Sequence, residues 1–458
     1  MMAKIKLLIK TIVPKGASIT EVISLYSMIG TILLMYFPIS YLLSTGYNNL
    51  LNSYTDFASI TIYLSFITTI IFILCTNLPT LNKSESLKHL IKITVIWLAI
   101  FLIYYLSIDN SLRTTSIYYF LRLSCVLLFG YSVYKSEIWL RYKHLLSWTL
   151  LITMLFQSLI LVTQFTIQKS LGLSIIGESP LSSLFYGVAK IVTETGTYIR
   201  GYGTFPHPNI LGAFLAISSI INLYLLTKNK QYLVRYLLIF MYFINIISLL
   251  MSFSRASFLV VSLGTLFFLI MQSFGKSFIK ILRWFWFVPI AFIISTSLLY
   301  PLLQHRTQLD DRAIIERSLY NHAGISIIQN YPILGTGAGT NMFHMKQELE
   351  NRIEAWDIQP IHNYPLLIIS ELGILGLVIL IFSLYLLYRI LRKSLPNLYQ
   401  QDDNIDWMIT LTTLGFMILG LFWFDHYFYT NWSAQLLLWI ILGLIAKSTI
   451  TIKNDKKV

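Results

Sequence analysis

The stretch PNILGAFLAISSIINLYLLT, residues Pro208–Thr227, decides the fold class of this chain. It contains 20 residues and no charged side chain, and about 20 apolar residues suffice for a helix to cross a bilayer. Similar stretches recur along the 458 residues, of which 56% are hydrophobic and 12% charged, against roughly 25% charged in soluble domains. The composition therefore excludes a soluble globular enzyme, a disordered protein and a disulfide scaffold, and it predicts an integral membrane protein built from helices.

About twelve stretches have spanning length, which predicts an all-α protein with about twelve transmembrane helices in a single domain, residues 1–458. They are approximately Ile19–Leu43, Phe57–Leu78, Leu90–Ile108, Thr115–Tyr134, Leu145–Gln168, Pro208–Thr227, Tyr232–Met251, Ala256–Gln272, Leu282–Leu303, Asn363–Tyr388, Trp407–Phe424 and Trp432–Ala446. Two long connections interrupt them, 169–207 and 304–362. In the second, apolar residues at helical spacing, among them Ile315, Leu319 and Ile325, predict an amphipathic helix on the membrane surface.

The net charge of +14 mainly records topology. With a cytoplasmic N-terminus, 23 of the 34 lysines and arginines fall in segments on the cytoplasmic side, as the positive-inside rule requires. This pattern predicts that both termini are cytoplasmic and that both long connections are extracytoplasmic. The charge gives no reason to expect a nucleic-acid partner. The arginines that depart from the rule are candidates for function.

The first long connection ends in Arg200-Gly-Tyr-Gly-Thr-Phe-Pro-His207-Pro-Asn209. An arginine beside glycines at a helix N-terminus suits a phosphate site, because guanidinium and unpaired backbone N–H groups both attract anions and glycine allows close approach. The alternative is a turn at the membrane surface whose arginine snorkels to headgroups. Arg255, between two spans that leave almost no loop, has the same two interpretations: it binds a substrate phosphate, or it is an interfacial anchor or ion-pair partner.

The second long connection closes with Ile361-His362-Asn363 at the start of a predicted helix. The positive end of the helix dipole lowers the pKa of an imidazole, and a neutral imidazole can act as a general base; the alternative is a structural histidine. We expect Glu371, two to three turns into the span, to face a polar cavity or to orient another group. Asp425 and His426, in a short aromatic-rich outer connection, are candidates for lining the site. No spacing of His, Cys, Asp or Glu indicates a metal site.

Taken in order, these motifs resemble the O-antigen ligase / O-antigen polymerase family of bacterial cell-surface polysaccharide enzymes. The resemblance runs through Arg200–Asn209 with Gly212, Ser254-Arg255, Arg312 followed by Pro332–Gly337, His362-Asn363, and Glu371-Leu-Gly373 with Gly376. It implies a helical fold of the polyprenyl-linked glycosyltransferase (GT-C-like) class in the bacterial cytoplasmic membrane, with an extracytoplasmic active site and no metal or other cofactor.

The resemblance also assigns roles to residues and partners. Arg200 and Arg255, and with them Arg312, would hold the pyrophosphate of a polyprenyl-linked oligosaccharide donor, and His362 would act on the acceptor hydroxyl. We expect six supporting residues, of which His207, Asn209, Asn363 and Glu371 lie in the motifs of the resemblance, while Asp425 and His426 lie beyond it and are candidates from their position alone. The implied partners are that donor, a glycan or lipid-linked acceptor and membrane lipids, with a chain-length regulator or other polysaccharide-assembly proteins as further candidates.

The leading functional hypothesis is an inverting polymerase of O-antigen, capsule or exopolysaccharide repeats. A ligase that moves the finished glycan to lipid A-core or protein would use the same motifs. Two other classes stay open, a transporter or flippase of lipid-linked sugar and a structural partner in an envelope assembly. The grouping of polar outliers on one predicted face favours an enzyme, since carriers usually place their sites at the midplane between internal repeats.

Overall fold

A computed structural model describes residues 17–51, 55–81, 84–185, 187–194, 196–274, 285–307, 311–349, 358–397 and 403–451. Over these residues the chain is a helical membrane protein with seventeen α-helices and two small hairpins. The helices are α1 Ile19–Tyr36, α2 Asn48–Leu51, α3 Ser65–Leu81, α4 Ser84–Ser107, α5 Asn110–Lys135, α6 Ile138–Ile167, α7 Pro208–Lys228, α8 Tyr232–Met251, α9 Arg255–Ser273, α10 Phe287–Thr307, α11 Asp311–Asn330, α12 Asn341–Glu348, α13 Tyr364–Leu372, α14 Ile374–Asn397, α15 Asp403–Phe422, α16 Tyr427–Thr430 and α17 Trp432–Thr451.

Eight of the described helices are long and apolar enough to cross a membrane, and four shorter apolar helices accompany them. The all-α membrane fold is thus confirmed, whereas the count of twelve spans is not. Helix α7 contains the uncharged stretch Pro208–Thr227, and 94% of the residues in its most apolar 18-residue window are buried, so it lies inside the protein. The start of the predicted span Leu282–Leu303 and residues 308–310 and 350–357 of the second long connection lie outside the described residues.

The first two predicted spans, Ile19–Leu43 and Phe57–Leu78, are each too long. Helix α1 ends at Tyr36 and α3 begins at Ser65, and strands β1 (Ser40–Ser44) and β2 (Ile60–Tyr63) form an antiparallel hairpin between them. Pro38 explains the early end of α1, since proline lacks an N–H and disfavours helical geometry in the residue before it. A second hairpin, β3 (Lys190–Thr193) with β4 (Gly196–Ile199), lies in the first long connection.

The predicted span Asn363–Tyr388 is two helices rather than one. Helix α13 ends at Leu372 and α14 begins at Ile374, with Gly373 between them at φ +54°. A β-carbon on Gly373 would collide with the carbonyl oxygen of Ile333, so glycine is needed where the two segments cross. The break places Glu371 in the short helix α13, and not two to three turns inside a span.

Helix α11 occupies part of the second long connection, where we predicted an amphipathic helix. Its buried residues are Tyr320, Ala323, Gly324 and Ile327. Of the predicted apolar face, Leu319 packs against the core, while Ile315 and Ile325 are exposed. The apolar spacing therefore indicated the helix but only part of the face that packs on the protein.

Helices α7 and α15 define two ends of the protein. Helix α7 begins beside His207 and ends at Lys228, whose Nζ lies 2.9 Å from Oδ2 of Asp406 near the start of α15. A helix of this length extends about 30 Å. The ion pair therefore lies at one end of these two helices. Asp425, which follows α15, lies at the other end, about one helix length away.

Candidate functional site

Arg200 is buried just after strand β4, with 4% of its surface exposed. Its Nε donates to the carbonyl of Ser252 at 2.7 Å, and a terminal nitrogen donates to Oδ1 of Asn209 at 2.6 Å. Arg200 therefore ties the end of the first long connection to the segment that precedes Arg255. At least two of its five N–H donors therefore serve the protein itself.

The glycines after Arg200 serve a different purpose from the one we predicted. A β-carbon on Gly201 would collide with Leu161, and one on Gly203, which has φ +60°, would collide with Oε1 of Gln157. Both neighbours belong to helix α6. Close approach to that helix, rather than to a ligand, is what these glycines allow.

His207 and Asn209 start helix α7 at the same end of the protein. The ring of His207 caps the helix, because its Nδ1 accepts from the backbone N–H of Asn209 at 3.1 Å. The side chain of Asn209 bridges two charged residues: Oδ1 accepts from Arg200, and Nδ2 donates to Oδ2 of Asp425 at 3.0 Å. Arg200 and Asp425 are thereby joined although they lie in different connections.

Asp425 and two histidines form a buried cluster beside this bridge. Oδ1 of Asp425 accepts from the backbone N–H of His426 and lies 3.8 Å from its Nε2. The rings of His362 and His426 meet edge to face, with centroids 4.9 Å apart. Among the described residues, Nδ1 of His362 has no hydrogen-bond partner although it is buried. In the tautomer that carries its proton on Nε2, such a nitrogen can accept a proton from a hydroxyl.

The environment keeps the three histidines neutral and Asp425 ionised. Burial, together with Arg200, lowers the pKa of His207 to about 3, and burial lowers the pKa of His426 to about 3 against the pull of Asp425. Burial also lowers the pKa of His362, again opposed by Asp425. Burial alone would raise the pKa of Asp425, but the imidazoles of His426 and His362 and the Asn209 amide hold it below its usual value. A neutral imidazole next to a fixed carboxylate suits general-base catalysis.

His362, Asp425 and His426 are also the three described residues whose ligand atoms come together as a metal ion would require, all within 4.8 Å of one another. The donors of a tetrahedral zinc ion lie about 3.4 Å apart, given Zn–N distances of about 2.0–2.1 Å. The Asp425–His426 separation of 3.8 Å would have to contract. Both carboxylate oxygens already accept hydrogen bonds, so the arrangement suits proton transfer better than metal binding.

Glu371 does not join this cluster. Its carboxylate is buried and accepts the backbone N–H groups of Gly339 at 2.6 Å and Asn341 at 2.9 Å. It thus fastens the glycine-rich turn, which contains Gly335, Gly337 and Gly339, to helix α13, whose N-cap is Asn363. Glu371 and Asn363 hold the segment that carries His362 in place.

Two predicted site residues remain to be placed, Arg255 and Arg312. Arg255, the first residue of helix α9, is exposed, and Ser254 caps that helix. The side chain of Arg312 lies outside the described residues. Sequence reasoning missed Phe57, whose ring meets that of His426 at 5.2 Å, and Thr430, whose Oγ1 lies 2.8 Å from Nδ1 of His426. Phe57 lies in no motif, and Thr430 lies in the aromatic-rich connection, where only Asp425 and His426 were candidates.

These features define a helical membrane protein with a buried polar cluster at one end of its helices. Residues 238–381 match the protein-family model described as O-antigen ligase. The match confirms the resemblance to the O-antigen ligase and polymerase family, and it supports glycan transfer of that general type, with lipid-linked glycans and membrane lipids as partners. It includes Arg255, His362 and Glu371, while Arg200, Asn209 and Asp425 lie outside it. No curated protein matches the chain.

Proposed function

We propose that this protein transfers a glycan from a polyprenyl-pyrophosphate carrier to an acceptor sugar hydroxyl, at the outer face of the bacterial cytoplasmic membrane. The observation that supports it best is the buried cluster in which His362 presents an unpartnered Nδ1 beside Asp425. Joining lipid-linked repeats into O-antigen, capsule or exopolysaccharide is the reaction we favour.

In the proposed reaction the acceptor oxygen attacks the anomeric carbon while its proton passes to His362. The bond from that carbon to the carrier phosphate breaks, and its electron pair leaves with the pyrophosphate. Arg255 and Arg200, with Arg312 as a further predicted ligand, neutralise the developing charge, so no metal is required. Asp425 stabilises the imidazolium that forms. One displacement inverts the anomeric carbon.

The distribution of charge supports an outward-facing site with cytoplasmic termini. Three ion pairs, Arg141–Glu21, Lys228–Asp406 and Lys447–Glu137, involve cations that the positive-inside rule assigns to the cytoplasm. The Lys228–Asp406 pair lies at the end of α7 and α15 remote from His207 and Asp425. The terminal residues 1–16 and 452–458 themselves lie outside the described residues.

A ligase that delivers the finished glycan to lipid A-core or protein remains the alternative, because it needs the same donor and the same base. The two differ in acceptor alone. A chain-length regulator or other polysaccharide-assembly proteins are further proposed partners.

Reconstitution tests the proposal against a transporter. The protein is placed in vesicles with the lipid-linked glycan extracted from cells that lack it. We expect new glycosidic bonds and free polyprenyl pyrophosphate in equal amounts, with the same yield in EDTA as in buffer with added Mg²⁺ or Zn²⁺. Movement of lipid-linked sugar across the bilayer without bond formation would instead show a flippase, and loss of activity in EDTA that Zn²⁺ restores would show a metal at His362, Asp425 and His426.

The pH dependence of transfer should reflect the lowered pKa of His362. Because this pKa lies below 6.5, the rate should remain high at pH 6.5 and fall only at more acidic pH, where the base becomes protonated. Asp425 raises the pKa of His362, so Asp425→Asn should move the acidic midpoint to still lower pH as well as slow the reaction.

Initial rates over a pH series, at saturating donor, measure both effects. Glu194→Gln removes an exposed carboxylate from the β3–β4 turn and should leave the profile unchanged. A midpoint at or above 6.5, or the same midpoint in Asp425→Asn, would remove His362 as the titrating base.

A further inference from the structure

Arg122 is a buried cation that the proposed reaction does not use. It lies midway along α5, a helix long and apolar enough to cross a membrane, and only 4% of its surface is exposed. No carboxylate among the described residues forms an ion pair with it. A cation inside a membrane helix is costly, so the groups that it contacts indicate what it does.

The partners of Arg122 are two neutral oxygens and an aromatic ring. Its Nε donates to Oε1 of Gln435 at 3.0 Å, and a terminal nitrogen donates to the carbonyl of Thr430. The guanidinium lies over the ring of Tyr119, 4.9 Å from the centroid, where the ring face attracts a cation. Because its donors point in fixed directions, a guanidinium can hold both oxygens at once.

Gln435 extends these contacts to a second carbonyl. Its Nε2 donates to the carbonyl of Tyr429, so the consecutive carbonyls of Tyr429 and Thr430 are both bound by the Arg122–Gln435 pair. The last carbonyls of a helix have no partner within it, and helix α16 has only four residues. The end of α16 is therefore fixed from outside, by side chains of α5 and α17.

The start of α16 carries a histidine of the buried cluster. His426 is the N-cap, and its Nδ1 lies 2.8 Å from Oγ1 of Thr430, the residue whose carbonyl Arg122 holds. The backbone N–H groups of Tyr429 and Thr430 donate to the carbonyl of His426 at 2.9 and 3.2 Å. Because side chain and backbone both link Thr430 to His426, a displacement of Thr430 moves His426 as well.

We propose that Arg122 and Gln435 are positioning residues for the buried cluster. They hold the backbone at the end of α16 and thereby fix His426 and Asp425 against the ring of His362. They act through this backbone and not on the substrate. Their part in glycan transfer rests on the proposed function; the anchoring of His426 does not.

The access of diethyl pyrocarbonate to His426 tests the anchoring. The reagent acylates imidazole nitrogens, and it is applied to the full chain in lipid nanodiscs, with peptide mass spectrometry as the readout. Reaction at buried His426 requires local opening, which the loss of one charge-assisted hydrogen bond should favour about tenfold. We therefore expect His426 to react about tenfold faster in Arg122→Met and Gln435→Leu than in the wild type. Exposed His322 is the internal reference and should react equally in all samples.

The matched control is Asn222→Leu. Asn222 is likewise buried, and its Nδ2 donates to the backbone carbonyl of Leu238, but it lies about 20 Å along α7 from the start of that helix. Its substitution should leave the reactivity of His426 unchanged. An equal rise in Asn222→Leu would show a general loosening of the fold and would overturn the anchoring, as would wild-type reactivity in both Arg122→Met and Gln435→Leu.

A double-mutant cycle with Asp425→Asn tests the consequence for transfer. In vesicles, Arg122→Met should lower the maximal rate about 10- to 10²-fold, as a displacement of about 1 Å can do, with the donor concentration for half-saturation unchanged. In Asp425→Asn the same substitution should cost much less, because the carboxylate that Arg122 positions is gone.

If the two effects multiply in full, Arg122 does not act through the cluster, and its part in transfer is overturned. Failure of the proposed function gives a different result. No glycosidic bond would then form in the wild type, while the reactivity of His426 would still decide the anchoring.

Discussion

Replacing His362 by alanine should reduce glycan transfer by about 10²- to 10⁴-fold, the contribution typical of a positioned general base. The imidazole is buried beside Asp425, and alanine offers no nitrogen to take the proton of the acceptor hydroxyl. Initial rates of bond formation in reconstituted vesicles, and the polysaccharide profile on gels of cell extracts, measure the loss.

His322→Ala is the matched control, since His322 is exposed on helix α11 and its Nδ1 contacts the carbonyl of Ser318, within its own helix. It should keep the wild-type rate. His362→Gln should elute as the wild type does in size-exclusion chromatography and yet be as slow as His362→Ala. If a folded His362→Ala protein transferred glycan at the wild-type rate, His362 would not be the general base.

The second large effect is expected at Arg255. Arg255→Ala should slow transfer by about 10²- to 10³-fold, as removal of one charge-stabilising group does in other enzymes, and should raise the donor concentration needed for half-saturation. Arg255→Lys keeps the charge without the planar guanidinium, so its transfer rate should lie between those of the wild type and Arg255→Ala. Because Arg255 is exposed, its removal strands no buried partner and folding should be unaffected.

Lys169→Ala, which removes another exposed cation from a long connection, should not change the rate. Arg200→Ala should behave differently from Arg255→Ala: it removes the donor from the Ser252 carbonyl and from Asn209, so it should lower thermal stability as well as activity. Equal rates for Arg255→Ala and wild type would assign Arg255 to the lipid interface.

The sequence predicts the helical membrane fold well because the signal is local. Twenty uncharged residues at Pro208–Thr227 suffice to identify the central helix. The sequence predicts the ends of the helices less well. Pro38 and Gly373 lie inside apolar stretches, so hydropathy alone predicts that the helix continues past them. Only the structure shows that the chain turns there. The buried face of α11 depends on its neighbours, which no periodicity reveals.

The site is predictable as a set of residue types but not as an arrangement. Asn209 and Asp425 lie 216 positions apart, and no pattern in the chain relates them. The sequence pointed to Glu371 and Asp425 equally, although one fastens a turn and the other faces the histidines. Phe57 belongs to no motif, and Thr430 lies in the aromatic-rich connection without having been a candidate, so the place of both beside His426 is known only from packing.

The bridge from Arg200 through Asn209 to Asp425 bears on product release. It sets a buried cation against a buried anion, so that of the two predicted phosphate-binding arginines with described side chains, Arg255 alone presents an uncompensated charge. A spent carrier diphosphate then meets less net positive charge than it would if Arg200 had no carboxylate linked to it. An enzyme that releases an anionic lipid after every cycle turns over faster when it binds that product less tightly, because slow product release would limit the rate.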